Sequence, residues 1–339
     1  MSDAYIVGAG MIPFGRYPDR AYFQLAADAT LMALDDCGLS IKDVGVVYAS
    51  STFNAASMLG QKMLQQIGQT GVPVINVSNA CASGATAVRE AFVAIKSGLY
   101  DVVLAVGAEK NPRGMLAGSP VDGPPPEGLF GSVSMPALFA EAGMVHANAY
   151  GTTIEQFAQV AVKNHHHANM NPKAAYRKET PLAEVLASEM IAYPLTKLMC
   201  SANVDGAAAV LIASKDYAQK HGLKPRARIV ATANMGDCPT LMLNAPVAAA
   251  KKVLEKAGLK TTDIDVYEIN EAFSVVAEKF IRDLDLDREK VNINGGAMAL
   301  GHPIGATGSM LIGTALDELE RSGGRYGLIT MCAAGGMAP

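Results

Sequence analysis

The sequence predicts an α/β protein built from two similar βαβα halves related by a pseudo-twofold axis, with a loop domain inserted in the first. Three observations carry this. Apolar strands alternate with helices along most of the chain. Motifs of the first half return about 220 positions later, in the same order. Between Glu109 and about Ile191 that echo is interrupted.

The N-terminal segment up to Gly8 reads as a strand. A helix from Leu25 to Cys37 then leads through Gly38-Leu39-Ser40-Ile41-Lys42-Asp43-Val44 to the apolar strand Val46-Val47-Tyr48. Its echo is a helix from Pro246 to Ala257, then Gly258-Leu259-Lys260-Thr261-Thr262-Asp263-Ile264, then Val266-Tyr267. Val72 to Val77 reads as a buried strand followed by a turn of small residues. Ser83-Gly84-Ala85-Thr86 is matched by Ile304-Gly305-Ala306-Thr307. Each opens a long helix, Ala85 to Ser97 and Thr307 to Ser322. Each helix leads to a strand, Val102 to Val106 and Gly327 to Met331. In this register Cys81 falls opposite His302. Short matches recur by chance, but here order, offset and element type agree. The predicted boundaries are residues 1–108 with 192–220 for the first half, 109–191 for the insertion, and 221–339 for the second half. Within the insertion, Ser119 to Gly128 is a loop by composition. Thr152-Thr153-Ile154-Glu155 reads as a capping box for a helix to about Ala168.

Composition narrows the function classes. Half of the 339 residues are hydrophobic, 18% are charged, and the net charge is −4. Neither nucleic acid nor an anionic membrane surface suits that balance as a partner. The 33 glycines point to close helix–sheet packing. Five cysteines with no CxxC spacing argue against a disulfide framework or a zinc site. No basic segment opens the chain, and no apolar run reaches the roughly 18 residues of a membrane span. A cytoplasmic protein is expected. The run His165-His166-His167 does not change the expectation of no metal. Consecutive helix residues point about 100° apart and cannot converge on one ion.

Chemistry concentrates at four places. Cys81 lies in Asn79-Ala80-Cys81-Ala82-Ser83-Gly84, placed by the pattern on the first turn of a helix, where the dipole favours a thiolate. Far downstream come Asn270-Glu271-Ala272-Phe273, then Gly301-His302-Pro303, then Met331-Cys332-Ala333-Ala334-Gly335-Gly336. A nucleophile, an amide, an imidazole and a second thiol are the inventory of covalent acyl transfer.

With these motifs the chain resembles the thiolases, which make or cleave the carbon–carbon bond of 3-ketoacyl-CoA. The resemblance covers nearly the whole chain. It includes Gly295-Gly296-Ala297-Met298-Ala299-Leu300-Gly301-His302-Pro303. The opening Ala4 to Gly15 and the stretch Pro194 to Cys200 look like the sterol-carrier branch, whose members usually have His where this chain has Asn270. The resemblance implies a thiolase fold with layered αβαβα order, and a further strand beyond the Gly-Gly-Met motif. It implies Cys81 as nucleophile, His302 as its base and Cys332 as second acid/base. Asn270 would hold a water that forms one oxyanion hole with His302. Backbone N–H groups of Cys81 and Ala334 would form the other. Most relatives have Gly where this chain has Ala334, which would be strained if φ there were positive. Ser201 falls where the family contacts the pantetheine arm of CoA. Tyr150 falls, with Ala149, where biosynthetic thiolases carry His-Met, and Phe273 reads as pocket wall. Lys173, Arg177 and Lys178 suit either CoA phosphates or a solvated helix face.

CoA is thus expected as substrate, with no permanently bound cofactor, and CoA thioesters as partners in a homodimer or homotetramer. Two other readings compete. One is a retro-aldolase of steroid-type acyl-CoA side chains working with a small partner protein. The other is a non-catalytic acyl-CoA or lipid carrier. The complete set Cys81, His302 and Cys332 argues against both.

Overall fold

The alternation of strands and helices read from the sequence is present in the computed structural model, which describes residues 2–114 and 134–339. The predicted loop Ser119 to Gly128 lies outside them. In chain order the elements begin β1 (Ala4–Met11), α1 (Tyr22–Cys37), β2 (Val46–Ser50), α2 (Leu59–Ile67), β3 (Val74–Val77), α3 (Ser83–Lys96) and β4 (Val102–Lys110). Then come α4 (Met135–Tyr150), α5 (Ile154–Ala168), α6 (Leu182–Ala187), the short strands β5 (Met190–Ala192) and β6 (Leu195–Thr196), β7 (Asp205–Ser214) and α7 (Lys215–Lys220). The chain continues with β8 (Ala227–Arg228), β9 (Met235–Gly236), α8 (Ala245–Ala257), β10 (Val266–Ile269), α9 (Ser274–Leu284) and α10 (Gly296–Ala299). It ends with α11 (Thr307–Ser322), β11 (Gly327–Thr330) and β12 (Met337–Ala338).

These elements group into two compact units. The first holds Met1–Asn111, Val204–Thr232 and Pro303–Glu320; the second holds Pro112–Asn203, Ala233–His302 and Arg321–Pro339. This differs from the halves drawn from the repeat. Most of α11 groups with the first unit, and the inserted residues group with the second. Packing explains the first difference. Leu316 of α11 is buried with Val88, Ala91 and Ile95 of α3 and with Val103 and Val210 of the sheet.

The first unit is built on a six-stranded sheet of order β3-β2-β4-β7-β1-β8. β2 runs parallel to both β3 and β4, and β7 is antiparallel to β4 and β1. Every residue of β7 is buried, as an alanine-rich apolar strand in the interior of a sheet requires. The expected buried strand before Cys81 is instead the sheet edge. Ile75 of β3 is 46% exposed, since β3 pairs on one side only. An apolar run reads alike in a central strand and at an edge.

In the second unit β10 and β11 pair in parallel, and β12 pairs with β9 antiparallel. α8 and α9 cover β10 with Leu254, Ile264, Tyr267 and Phe280 in one core. A second core joins α4, α5 and α9 through Leu138, Phe139, Phe157 and Val275. The capping box of α5 sits one residue later than expected. Gln156 N donates to Thr153 Oγ1 at 3.3 Å, and Thr153 N donates to Gln156 Oε1 at 2.8 Å. Both Thr152 and Thr153 fit the pattern, so only the backbone turn selects the cap. Among the described residues no helix is long and apolar enough to cross a membrane.

Candidate active site

In the first unit, β2, β3 and β4 run parallel, so their carboxyl ends share one edge, where open α/β sheets place their chemistry. Thr52 follows β2, Cys81 follows β3, and Glu109 is the penultimate residue of β4. The Cys81 turn is held from within. Ala82 N donates to Asn79 O at 2.9 Å and Asn79 N donates to Ser83 Oγ at 2.8 Å. Helix α3 begins at Ser83 with Ala82 as its cap residue, so Cys81 precedes the first turn rather than lying on it. Burial pushes its thiol up to about 11, outweighing the lowering effect of its own backbone N–H. The expected dipole-stabilised thiolate is therefore not the resting state. The residue as a whole keeps partial exposure, but its sulfur is desolvated and protonated at neutral pH.

In the second unit, the in-register pair Ile269 and Thr330 ends β10 and β11 together. Asn270 follows directly, its N–H donating to Thr330 O at 3.0 Å, and Cys332 stands two residues beyond β11. Asn270 is fully buried and Cys332 is 1% exposed. His302 joins them. Its ring Nε2 lies 3.5 Å from Asn270 Nδ2, and its backbone N–H donates to Ala202 O at 3.0 Å. Burial lowers the imidazole to about 4, so it is neutral at pH 7 and able to accept a proton. Ser201 is drawn to the same place, since its N–H donates to Ala272 O at 3.0 Å while Cys200 bridges to Phe273. Phe273 packs tilted on Phe139, with ring centres 4.5 Å apart, in the apolar cluster that also holds Met199, Met298 and Cys332.

Ala334 escapes the strain that its alanine threatened. It is absent from the residues with positive φ; the neighbouring Gly335 and Gly336 take those angles, 81° and 71°. The turn closes by Ala333 N donating to Met337 O at 2.7 Å. Tyr150 stands apart. It ends α4, eleven residues and about 16 Å along the helix from Phe139. It is half-exposed, with the Arg282 guanidinium 5.8 Å from its ring centre. Lys173, Arg177 and Lys178 lie on irregular backbone, not a helix face, and Lys178 pairs with Glu184 at 2.9 Å. The three histidines diverge. His165 is buried against Tyr176, whereas His166 is exposed beside Glu179. Among the described residues no cluster of His, Cys, Asp and Glu could hold a metal ion.

Sequence reasoning left Glu271 as support for its neighbours and missed Glu268. Glu271 accepts from Asn164 Nδ2 at 2.5 Å, from Asn292 Nδ2 and from Met298 N, which fixes the loop behind Asn270. A cavity of about 350 Å³ opens on that side, lined by Gln156, Lys163, Glu271 and Arg288; Asn270, His302 and Cys332 do not line it. Glu268, fully buried, has no hydrogen-bond partner on either oxygen among the described residues. Burial, then Glu271, raises it to about 8. A carboxyl raised on folding contributes stability below its unfolded pKa, and that contribution fades as pH rises from about 4.5 to about 8. Glu268→Gln is therefore expected to melt like wild type at pH 5. At pH 8.5 it should gain on the order of 3 kcal/mol. Melting curves at both pH values check this, and a pH-independent difference would refute the assignment. The only sequence signal was an acidic residue inside an apolar strand.

Comparison with known proteins places the chain in a family. Residues 4–115 match the family model described as thiolase, N-terminal domain, and residues 223–339 match thiolase, C-terminal domain. Acetyl-CoA acetyltransferase of Methanothermobacter thermautotrophicus is 30% identical over 360 residues, covering 96% of this chain and 93% of that protein. The chain belongs to the thiolase family. Sterol carrier protein 2 of Gallus gallus is a further relative of this thiolase, 35% identical over 354 residues. That match covers 90% of this chain but 63% of the relative, so the thiolase spans just under two thirds of its length. The crystal structure of human mitochondrial 3-ketoacyl-CoA thiolase in complex with CoA superposes with a TM-score of 0.85 at 27% identity, covering 99% of this chain and 96% of that one. The fold is the thiolase fold.

Proposed function

We propose that this thiolase-family protein is an acyl-CoA C-acyltransferase, cleaving 3-ketoacyl-CoA with CoA or running the reverse condensation. The observation that supports it most is the grouping of Asn270, His302 and Cys332 at the ends of β10 and β11 and on the adjoining His302 loop. Cleavage proceeds in two steps. Cys81 loses its proton to His302 and attacks the C3 carbonyl. The C2–C3 bond breaks, giving S-acyl-Cys81 and the enolate of acetyl-CoA, which Cys332 protonates at C2. A second CoA thiol then attacks the acyl-Cys81 thioester and acyl-CoA leaves; His302 returns its proton to the Cys81 sulfur, and the proton lost by the CoA thiol restores Cys332. Burial raises the thiol and lowers the imidazole, so both groups rest neutral and the proton transfer is uphill until bound substrate and the forming C–S bond offset it. A water held by Asn270, together with His302, stabilises the enolate oxygen, an interaction worth about 3–4 kcal/mol in comparable sites. Ser201 contacts the pantetheine arm of CoA. A cytoplasmic homodimer or homotetramer completes the reading.

The test is intact-protein mass after incubation with acetyl-CoA or acetoacetyl-CoA, with Cys81→Ser in parallel. One acetyl group on wild type and none on the variant is the expected result. Silence with these donors and with longer and sterol-derived acyl-CoAs would favour the aldolase or carrier reading.

A further inference from the structure

We propose that Glu109 is a positioning residue for Cys81: its buried carboxylate fixes the turn after β2, and the Thr52 hydroxyl of that turn pins the carbonyl that aims the thiol. This deepens the acyl-transfer reading and rests on Cys81 as its nucleophile.

Glu109 is fully buried, and four neutral donors meet it. Ser51 Oγ at 2.8 Å and Asn54 Nδ2 at 2.9 Å donate to Oε1. Thr52 N at 2.6 Å and Gly305 N at 3.1 Å donate to Oε2. A buried carboxylate is tolerated only with such a full set of donors. Each donor is in turn fixed by the charge. Three of the four belong to the turn Ser51–Asn54, which carries no regular secondary structure at Ser51 to hold it otherwise.

That turn reaches the nucleophile through one hydroxyl. Thr52 Oγ1 donates to Ala80 O at 2.9 Å and lies 3.1 Å from Ser83 Oγ. Ala80 has a φ of 44°, a left-handed angle that a residue with a Cβ keeps only when its surroundings impose it. The imposing contacts converge on the Ala80 carbonyl. Besides Thr52, it accepts from Ser83 Oγ at 2.7 Å and from Ser83 N at 3.1 Å. The Ala80 carbonyl and the Cys81 N–H belong to one planar peptide, so fixing the first orients the second. That N–H is the oxyanion donor assigned to Cys81.

Glutamine is the informative replacement. Each carboxylate oxygen faces two donors, so a carboxamide in either orientation sets its own NH2 against a pair of donors. Glu109→Gln should remain folded, with kcat for acetoacetyl-CoA lowered up to about tenfold and KM within about threefold. Thr52→Val should lose about tenfold in kcat, and Thr52→Ser, which keeps the hydroxyl, should stay within about twofold of wild type. The double variant Glu109→Gln with Thr52→Val should be no slower than Glu109→Gln alone, because both act through one contact. Equal turnover in all variants, a Thr52→Val loss that serine does not recover, or additive losses would each overturn the proposal. If Glu109→Gln fails to fold, the Thr52 pair decides alone. If wild type takes up no acyl group, the acyl-transfer reading falls by itself. Alkylation of Cys81 by iodoacetamide then tests positioning, with a rate change of about tenfold in Thr52→Val expected and an unchanged rate refuting it.

Discussion

Replacing Cys332 with alanine is expected to lower cleavage of acetoacetyl-CoA about 1,000-fold while leaving acetylation of Cys81 by acetyl-CoA within about threefold. The two half-reactions separate because they ask for different protons. Acyl transfer between thiols needs only Cys81 and its base. Breaking the C2–C3 bond also needs a proton delivered to carbon, and Cys332 is the group proposed for that task. Its setting suits it. The thiol is 1% exposed and lies in an apolar cluster with Phe273 and Met298, so bulk water is a poor substitute donor. Removing one sulfur from this cluster leaves only a small cavity, so the variant should fold. Burst-phase mass measurement gives the acylation rate, and thioester absorbance gives cleavage. Equal losses in both would move Cys332 into the acyl-transfer step.

Gly308→Val is expected to yield no folded protein. α3 and α11 touch backbone to backbone. A Cβ at Gly308 would lie 2.0 Å from Ala85 N and 2.6 Å from both Ala85 Cα and Gly84 C. A Cβ at Gly84 would in turn lie 2.9 Å from Gly308 N. No rotamer change relieves a clash with backbone, so the helices must separate and expose the core around Leu316 and Val88. The cost should exceed about 4 kcal/mol, a large fraction of a domain's stability. Gly313, on the same helix, is the control. Its Cβ would meet nothing nearer than Ala9 Cβ at 4.0 Å, so Gly313→Ala should be neutral or stabilising by up to about 1 kcal/mol. Soluble yield, circular dichroism and melting temperature compare the two. A Gly308→Val protein that melts like wild type would rule out this crossing.

The helix crossing shows how far local pattern reaches. The matched Gly-Ala-Thr motifs opened two helices where the repeat placed them, with α11 spanning Thr307–Ser322 as read. They did not say that the two helices pack against each other, and the repeat assigned them to different halves. Cys81 shows the same limit in electrostatics. A turn of small residues before a helix suggested a thiolate, but the surroundings that desolvate the sulfur come from the folded chain and reverse the preference. Glu109 was passed over because a single acid at a strand end says nothing of the four donors that meet it, one of them almost 200 residues away.

The sequence by itself determined the main alternation of strands and helices, the candidate residues at their ends, and the family they resemble. Those depend on periodicity, glycine placement and motif spacing, all of which are local. Only the tertiary structure decided that β3 is an edge, that Ala334 is unstrained, that Tyr150 stands apart from the Phe273 cluster, and how Cys81 and His302 are protonated. Each of these depends on atoms brought together from distant segments, because burial and hydrogen bonding are properties of neighbours in space.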